Sequence, residues 1–224
     1  PNTLPTLPVH SLTISDSTID NLSLYSEALT LRGLSATLSD WELIDPKRQP
    51  QANLSLGINQ LETPQLTLAR LSLKGRLEGQ VLSTDKLTTN LFDGLLETGM
   101  VLNWPDRSLQ LHTLKARGMR VELGDIPQGE FPLRRITLDR GQLDRVSVNA
   151  IEQELSLNNF SGQLTAFDWQ AGSQPSGYLS GTLADLGRGL FQLEAIEGKL
   201  AFSPRQIDAE LQGKAYEGEF NVEL

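Results

Sequence analysis

Histidines and paired carboxylates are the residues of this chain whose types could carry out catalysis. A histidine could serve as a general base, and two facing carboxylates could cleave a glycosidic bond. The candidates are His10, His112, the pair Asp93 and Glu97, and the pair Glu217 and Glu219. Neither histidine lies in a Gly-x-Ser-x-Gly or a His-Glu-x-x-His motif. His112 alternates with leucines and belongs to a polar face, and the acidic pairs flank glycines in turns, where carboxylates are solvated. We therefore predict no catalytic residue and no enzyme activity.

Metal and cofactor chemistry also lacks its usual residues. The chain contains no cysteine, which excludes disulfides, thiolate metal ligands and a cysteine nucleophile. No Asp-x-Asp-x-Asp loop predicts calcium, and no Gly-x-x-x-x-Gly-Lys loop predicts a bound phosphate. We expect no metal site and no cofactor. The net charge of −9, with basic residues scattered singly, argues against nucleic acid as a partner.

The elements that must position any site are short segments in which apolar and polar residues alternate, as strands require. Leucine occupies 42 of the 224 positions, and aromatic residues make up only 6%. Glycines inside these segments, such as Gly141 after Arg140, indicate a turn or a bulge that redirects a strand. Only Leu183 to Leu193 has a helical spacing, and two glycines interrupt it. The pattern predicts an all-β protein with little helix and antiparallel pairing, with a parallel β-solenoid as the rival architecture.

The alternating pattern occurs twice along the chain. Apolar residues of segment 8–24 recur in segment 132–148, at an offset of 124 residues. Asp40-Trp41 recurs as Asp168-Trp169, and Phe92-Asp93-Gly94 recurs as Tyr216-Glu217-Gly218. We predict two similar β units, residues 1–130 and 131–224, continuous in one elongated, curled sheet.

One face of each predicted strand is almost entirely aliphatic and needs a cover. It could pack on a second sheet, close into a barrel or curl around an apolar ligand. Alternation assigns to such a concave face Leu12, Ile14, Leu22, Leu24, Leu29, Leu31, Ile136, Leu138, Val146, Val148, Leu155 and Leu157. On this pattern a sealed core and a lipid groove are equally favoured. A glycan-binding domain would need more aromatic residues than the chain contains.

Two passages resemble a known family. One is a strand that begins after proline, in Leu7-Pro8-Val9-x-x-Leu12-Thr13-Ile14 and again in Phe131-Pro132-Leu133-x-x-Ile136-Thr137-Leu138. The other is the segment from Leu87 to Gly99, similar to a recurring Leu-x-x-x-Leu-aromatic-x-Gly-x-Leu-x-Gly element. In these passages the chain resembles the AsmA-like superfamily of bacterial envelope proteins, which includes AsmA, TamB, YhdP and YdbH.

The resemblance implies a fragment of a larger periplasmic protein, anchored in the bacterial inner membrane by a helix absent here. It implies a bridge-like lipid transfer protein whose hydrophobic β-groove carries phospholipid acyl chains between inner and outer membranes. The implied partners are those acyl chains, the inner membrane through the anchor, and outer-membrane components. The implied protein is not an enzyme and uses no cofactor, and the resemblance assigns no individual residues. The alternative is a structural β-scaffold or interaction module in envelope assembly, with the same leucines sealed in a core.

Overall fold

Fourteen strands make up one sheet in the computed structural model, which describes residues 12–26, 30–43, 51–62, 67–122, 133–150, 154–216 and 218–224. The strands are β1 (Leu12–Tyr25), β2 (Thr30–Leu43), β3 (Gln51–Glu62), β4 (Thr67–Glu78), β5 (Val81–Leu91), β6 (Gly94–Asn103), β7 (Ser108–Arg117), β8 (Arg120–Glu122), β9 (Arg135–Ala150), β10 (Leu155–Gln170), β11 (Ser176–Arg188), β12 (Phe191–Phe202), β13 (Ile207–Ala215) and β14 (Gly218–Glu223). The all-β prediction is confirmed. The described residues include no helix that could cross a membrane.

The sheet follows the order of the chain, and nearly all of its pairings are antiparallel. From β1 to β7 and from β9 to β14, each strand pairs with the next one. The exception is β9, which runs parallel to β7 and also pairs in parallel with the short β8. β1 and β14 are the outer strands and do not pair with each other. The sheet is therefore open, and the rival prediction of a parallel solenoid is wrong.

The sheet forms a single layer with little interior. The accessible surface of the chain is 15,760 Å², whereas a compact monomer of this mass would expose about 10,100 Å². No large side chain among the described residues is less than 2% exposed. The buried hydrophobic residues are scattered along the sheet, with Leu31, Leu73, Leu138 and Ile196 the largest aliphatic ones. In the described part of the chain, no second layer covers the aliphatic face.

Bulges interrupt the ladder at specific residues. Asn21 in β1 and Arg145 in β9 have φ of 52°, and register shifts lie beside both. A residue in this left-handed conformation inserts one extra position into a strand and sharpens its twist. At the step from Arg140 to Gly141, where the sequence predicts a bulge or turn, β9 continues without a break. The nearby register shift lies instead on β10, beyond Thr165, which pairs with Arg140.

The six strands β9 to β14 repeat the spacing of β1 to β6. Corresponding strands begin between 123 and 126 residues apart. Left-handed residues recur at similar offsets, in the pairs Asn21 and Arg145, Gly33 and Asn159, Asp40 and Ala166, Arg70 and Ala195, and Phe92 and Tyr216. That these two series form similar units stays a prediction. The proposed boundary after residue 130 lies outside the described residues, so the division at that point stays a prediction.

Candidate functional site

An apolar trough with a volume of about 410 Å³ lies on one face of β9 to β14. We use "apolar trough" for the surface formed by Leu143, Val146, Val148, Leu157, Phe160, Leu179, Leu183, Leu186, Leu193, Ile196, Leu200, Leu211 and Phe220. Ser180, Gly181, Gly198 and Lys199 complete its lining. Every strand from β9 to β14 contributes at least one side chain. On a flat sheet, β9 and β14 would lie about 24 Å apart, so the sheet must curve to give these residues one shared concave surface.

Bulges keep the aliphatic side chains on the trough side of the sheet. Within one strand, residues three positions apart would normally point to opposite faces, because the side-chain period is two. Three such pairs nevertheless line the trough together: Leu143 with Val146, Leu157 with Phe160, and Leu193 with Ile196. A left-handed residue lies within each pair, namely Arg145, Asn159 and Ala195. The extra residue restores the phase, so the aliphatic surface continues along the strand.

A hairpin of two strands underlies the helical spacing between Leu183 and Leu193. The interval from Leu183 to Leu186 is again three residues, and both side chains line the trough from β11. The strand continues to Arg188, a turn holds Gly189 and Leu190, and β12 begins at Phe191. The short helical turn suggested by the sequence is therefore absent. The interval from Leu183 to Leu193 instead spans the end of one strand, a turn and the start of the next strand.

A row of three glycines lies across neighbouring strands, and two of them, Gly181 and Gly198, line the trough. Gly162 pairs with Gly181, and Gly181 pairs with Gly198, on β10, β11 and β12. A Cβ on Gly181 would collide with the carbonyl oxygen of Ser161, and φ at Gly181 is +155°. The backbones approach too closely here for any larger residue, which is a common reason for glycine inside a strand. This row lets three neighbouring strands bend together.

The structure places the twelve residues assigned to the groove by alternation in different environments. Val146, Val148 and Leu157 lie in the apolar trough. Ile136 and Leu155 are half-buried at other points of β9 and β10. The remaining seven residues lie outside the trough lining or have side chains that the structure does not describe: Leu12, Ile14, Leu22, Leu24, Leu29, Leu31 and Leu138.

In the first predicted unit, the groove residues differ widely in exposure. Leu22 and Leu24 on the outer strand β1 are 38% and 51% exposed, whereas Leu31 on β2 is 9% exposed. Leu138 in the second unit is only 3% exposed. The side chains of Leu12 and Ile14, and the whole of Leu29, lie outside what the structure describes.

The sequence prediction missed most of the residues that line the trough. Phe160, Leu183, Ile196 and Phe220 are central examples. Phe160 and Ile196 each follow a left-handed residue, Asn159 and Ala195, and strict alternation changes parity there. A signal that could have found them is the repeated apolar pair at a spacing of three, next to a polar or small residue.

The opposite face of the same strands is polar and also concave. A depression of about 690 Å³ is lined there by residues that include Gln163, Thr182, Glu197, Gln212 and Glu223. Depressions on both faces are the consequence of strong twist, which gives an open sheet a saddle shape. The two faces of β9 to β14 therefore offer different chemistry, one aliphatic and one hydrogen-bonding.

The candidate catalytic residues lie apart from the apolar trough. Nδ1 of His112 is 3.4 Å from Oδ2 of Asp139, and both side chains are exposed. Lys86 and Lys115 lie 3.2 and 3.4 Å from the carboxylate of Glu97. The hydrogen bond from Lys86, followed by that from Lys115, lowers the pKa of Glu97 below its ordinary value. A general acid needs the opposite shift.

The remaining candidates add no cluster. Asp93 is exposed in the turn between β5 and β6, and His10 and Glu217 lie outside the described residues. Within the described ranges, no group of three or more histidine, aspartate or glutamate side chains has the arrangement to hold a metal ion.

Comparisons with protein-family models, with curated proteins and with solved structures find no match for this chain.

Proposed function

We propose that this chain is a periplasmic segment of a bridge-like lipid transfer protein, in which phospholipid acyl chains move along the apolar trough between inner and outer membranes. The observation that carries the proposal is the trough itself. It is apolar across six strands, and no second layer covers it in the described part of the chain. The resemblance to the AsmA-like superfamily supports the envelope as the location.

The chemistry of the lining favours an acyl chain over a sugar or a peptide. Apart from Ser180 and Lys199, the side chains of the trough carry no hydrogen-bonding group. Polar ligand groups would lose water there without gaining partners, which costs free energy. Each acyl CH₂ that is fully buried contributes about 0.8 kcal/mol. Because no polar contact fixes one position, an acyl chain bound this way is free to slide along the trough while its headgroup stays in water.

A structural scaffold remains the second candidate. It would use the same leucines as a sealed core, or as a surface covered by another protein. Within the described residues, the trough side chains Phe160, Leu183 and Phe220 are half-buried rather than buried, which favours the open groove. A scaffold would bind no phospholipid, so one experiment separates the two functions.

The first test is native mass spectrometry of the chain purified from a bacterial envelope, followed by lipid extraction. We expect phospholipid to co-purify with the natural sequence. Leu183→Asp places a charge in the trough and should remove most of the bound lipid. Thr182→Asp is the matched control, because Thr182 is the adjacent residue and lines the polar depression instead. Circular dichroism of both variants would establish that the sheet is intact.

A second measurement does not depend on a charged substitution. Phe160→Trp places a fluorescent reporter in the trough, and phospholipids brominated on the acyl chain should quench it. Phospholipids brominated only on the headgroup should quench it much less. The natural chain, which has three tryptophans of its own, gives the background to subtract. The proposal would be contradicted if the protein purified without lipid and neither brominated phospholipid quenched the reporter. That result would favour the scaffold.

A further inference from the structure

Three exposed apolar side chains lie together at one rim of the sheet, next to the apolar trough. Leu190 is in the turn between β11 and β12, Phe191 is the first residue of β12, and Tyr216 follows β13. Their exposed fractions are 100%, 46% and 79%. The rings of Phe191 and Tyr216 pack edge to face, with their centroids 6.4 Å apart. We use "apolar lip" for these three residues.

The apolar lip continues the apolar trough to the rim of the sheet. Phe191 precedes Leu193 by two positions in a regularly paired part of β12, so both side chains lie on the trough face. Leu193 pairs with Ala215, the residue before Tyr216. An apolar surface therefore runs from Leu193 in the trough to the tips of the two hairpins.

The exposure of Leu190 and Phe191 belongs to a fixed hairpin with neighbours on both sides. β11 pairs with β10 and β12 pairs with β13, so this hairpin does not lie at an outer strand. Arg188 pairs with Phe191 across the hairpin, and the N–H of Gly189 donates to the carbonyl oxygen of Glu154, at 3.2 Å. Because the backbone beside Leu190 is already paired, a partner there would bind through side chains.

The size of the apolar lip argues against a protein as its partner. Three large side chains of at most about 250 Å² each present less than the roughly 800 Å² that each partner contributes to a standard protein interface. A bilayer needs no matching shape, because the binding of a peripheral surface scales with the apolar area that it buries. Tyrosine also suits the membrane–water interface, where an apolar ring meets lipid and its hydroxyl meets water.

Charges of both signs flank the apolar lip. Arg188 and Glu154 lie on one side of the hairpin tip, and Lys214 faces Glu219 on the other. Attraction to anionic headgroups needs a surplus of basic residues, which these described neighbours do not provide. A zwitterionic phospholipid surface therefore fits the lip best.

We propose that the apolar lip is a contact site for the surface of a zwitterionic phospholipid bilayer, and that acyl chains enter the apolar trough over this rim. Leu190 and Phe191 would enter the interfacial region of the bilayer, and Tyr216 would lie among its headgroups. The inference rests on the proposed function, because the trough is the destination of the acyl chain. It adds a place of entry that the trough alone does not specify.

The first test is flotation of the full chain with phosphatidylcholine vesicles. We expect the natural chain to float, and Leu190→Ser to reduce the bound fraction by at least about fivefold, because an apolar side chain no longer enters the lipid. Leu190 is fully exposed, so the substitution removes no packing from the fold. Ile207→Ser is the matched control and should float like the natural chain, because Ile207 is 63% exposed at the opposite rim. Equal flotation of Leu190→Ser and the natural chain would overturn the proposal.

The rate of loading separates this inference from the proposed function. Vesicles supply a phospholipid labelled on one acyl chain, and native mass spectrometry follows its uptake with time. Leu190→Ser should load more slowly and reach the same final amount, because the trough lining is unchanged. An unchanged rate would overturn entry over this rim. If the natural chain floats through Leu190 but takes up no phospholipid, the proposed function and the entry route fail, and the bilayer contact stands.

Leu190→Trp tests for other occupants of the apolar lip. Its emission in water should be that of an exposed indole, and it should shift to shorter wavelength when phosphatidylcholine vesicles are added. The natural chain gives the background of its three tryptophans. A short-wavelength emission already present without vesicles would overturn the proposal, because the chain itself or a second copy would then cover the lip.

Discussion

Glu97 illustrates how single residues on the polar face support a sheet that has almost no core. It lies on β6 directly opposite Lys115 on β7 and diagonally from Lys86 on β5, so its carboxylate links three strands. The two lysines lower the pKa of Glu97, with the hydrogen bond from Lys86 as the largest cause. The folded state therefore favours the ionised carboxylate more than the unfolded state does. This contribution to stability is present above the ordinary pKa and is lost as pH falls through the lowered one.

We predict that Glu97→Gln reduces the loss of folding stability that the natural chain shows as the pH falls below neutral. At neutral pH the variant should be less stable than the natural chain, because both lysines lose their partner. The difference should disappear at a pH below the lowered pKa of Glu97, where the natural carboxylate is protonated as well. Urea midpoints between about pH 3 and pH 7 measure this difference across the titration of a carboxyl group.

Glu223→Gln is the control with the opposite expectation. Glu223 faces Glu210 rather than a lysine, so removing its charge should leave stability at neutral pH unchanged or raise it. A parallel loss of stability in both variants would show that the lysine contacts of Glu97 are not the cause.

At the scale of the strands, bulges and close glycines determine where the sheet curves. Bulges at Arg145, Asn159 and Ala195 keep aliphatic residues on the trough side, and Gly181 allows β10 and β11 to approach each other. Both devices are local, yet together they turn six strands into one concave surface. Substitutions at these positions should therefore act on curvature and stability together.

We predict that Gly181→Ala destabilises the sheet strongly. The new Cβ would collide with the backbone of Ser161, and alanine is strained at this φ, so the free energy of unfolding should fall by at least about 2 kcal/mol. Gly57→Ala is the matched control on β3, where the nearest atom to an added Cβ is 3.9 Å away. Its free energy of unfolding should stay unchanged or rise by less than about 1 kcal/mol. Urea unfolding of both variants makes the comparison, and equal losses would contradict the role of the glycine row.

The sequence predicts the elements better than it predicts the site. Period-two patterning identifies strands reliably here, because each strand has one aliphatic face. The pattern fails at a bulge, because one extra residue moves the later side chains of that strand to the opposite face. Phe160 directly follows the bulge at Asn159, and strict alternation does not assign it to the groove. Leu22 and Leu24 were assigned by the same pattern, and their exposure depends on their place on an outer strand, which pairing alone reveals.

The whole molecule is an extended layer rather than a compact body. Its accessible surface of 15,760 Å² is about half again what its mass would give a compact monomer. The stability of such a layer comes from contacts between neighbouring strands, because the described residues offer no central core. A destabilising substitution in one region should therefore affect mainly the adjacent strands, as in repeat proteins.

We predict that small-angle scattering will give a radius of gyration well above about 17 Å, the value for a compact chain of this length. The scattering should also indicate an elongated body. Adding a short-chain phospholipid should change the radius little, because the ligand fills an existing surface. A radius near the compact value would mean that the sheet folds back on itself and covers the trough.

The single parallel pairing between β7 and β9 has a consequence for direction. Because β1 and β7 point the same way in an antiparallel series, the parallel step makes β9 point the same way as β1. The second series of strands therefore follows the first by translation, without a reversal. Each rim of the sheet keeps its identity along its whole length, and the bulges of Asn21 and Arg145 fall on the same rim. The sheet is thus directional, and its two outer strands, β1 and β14, are not equivalent.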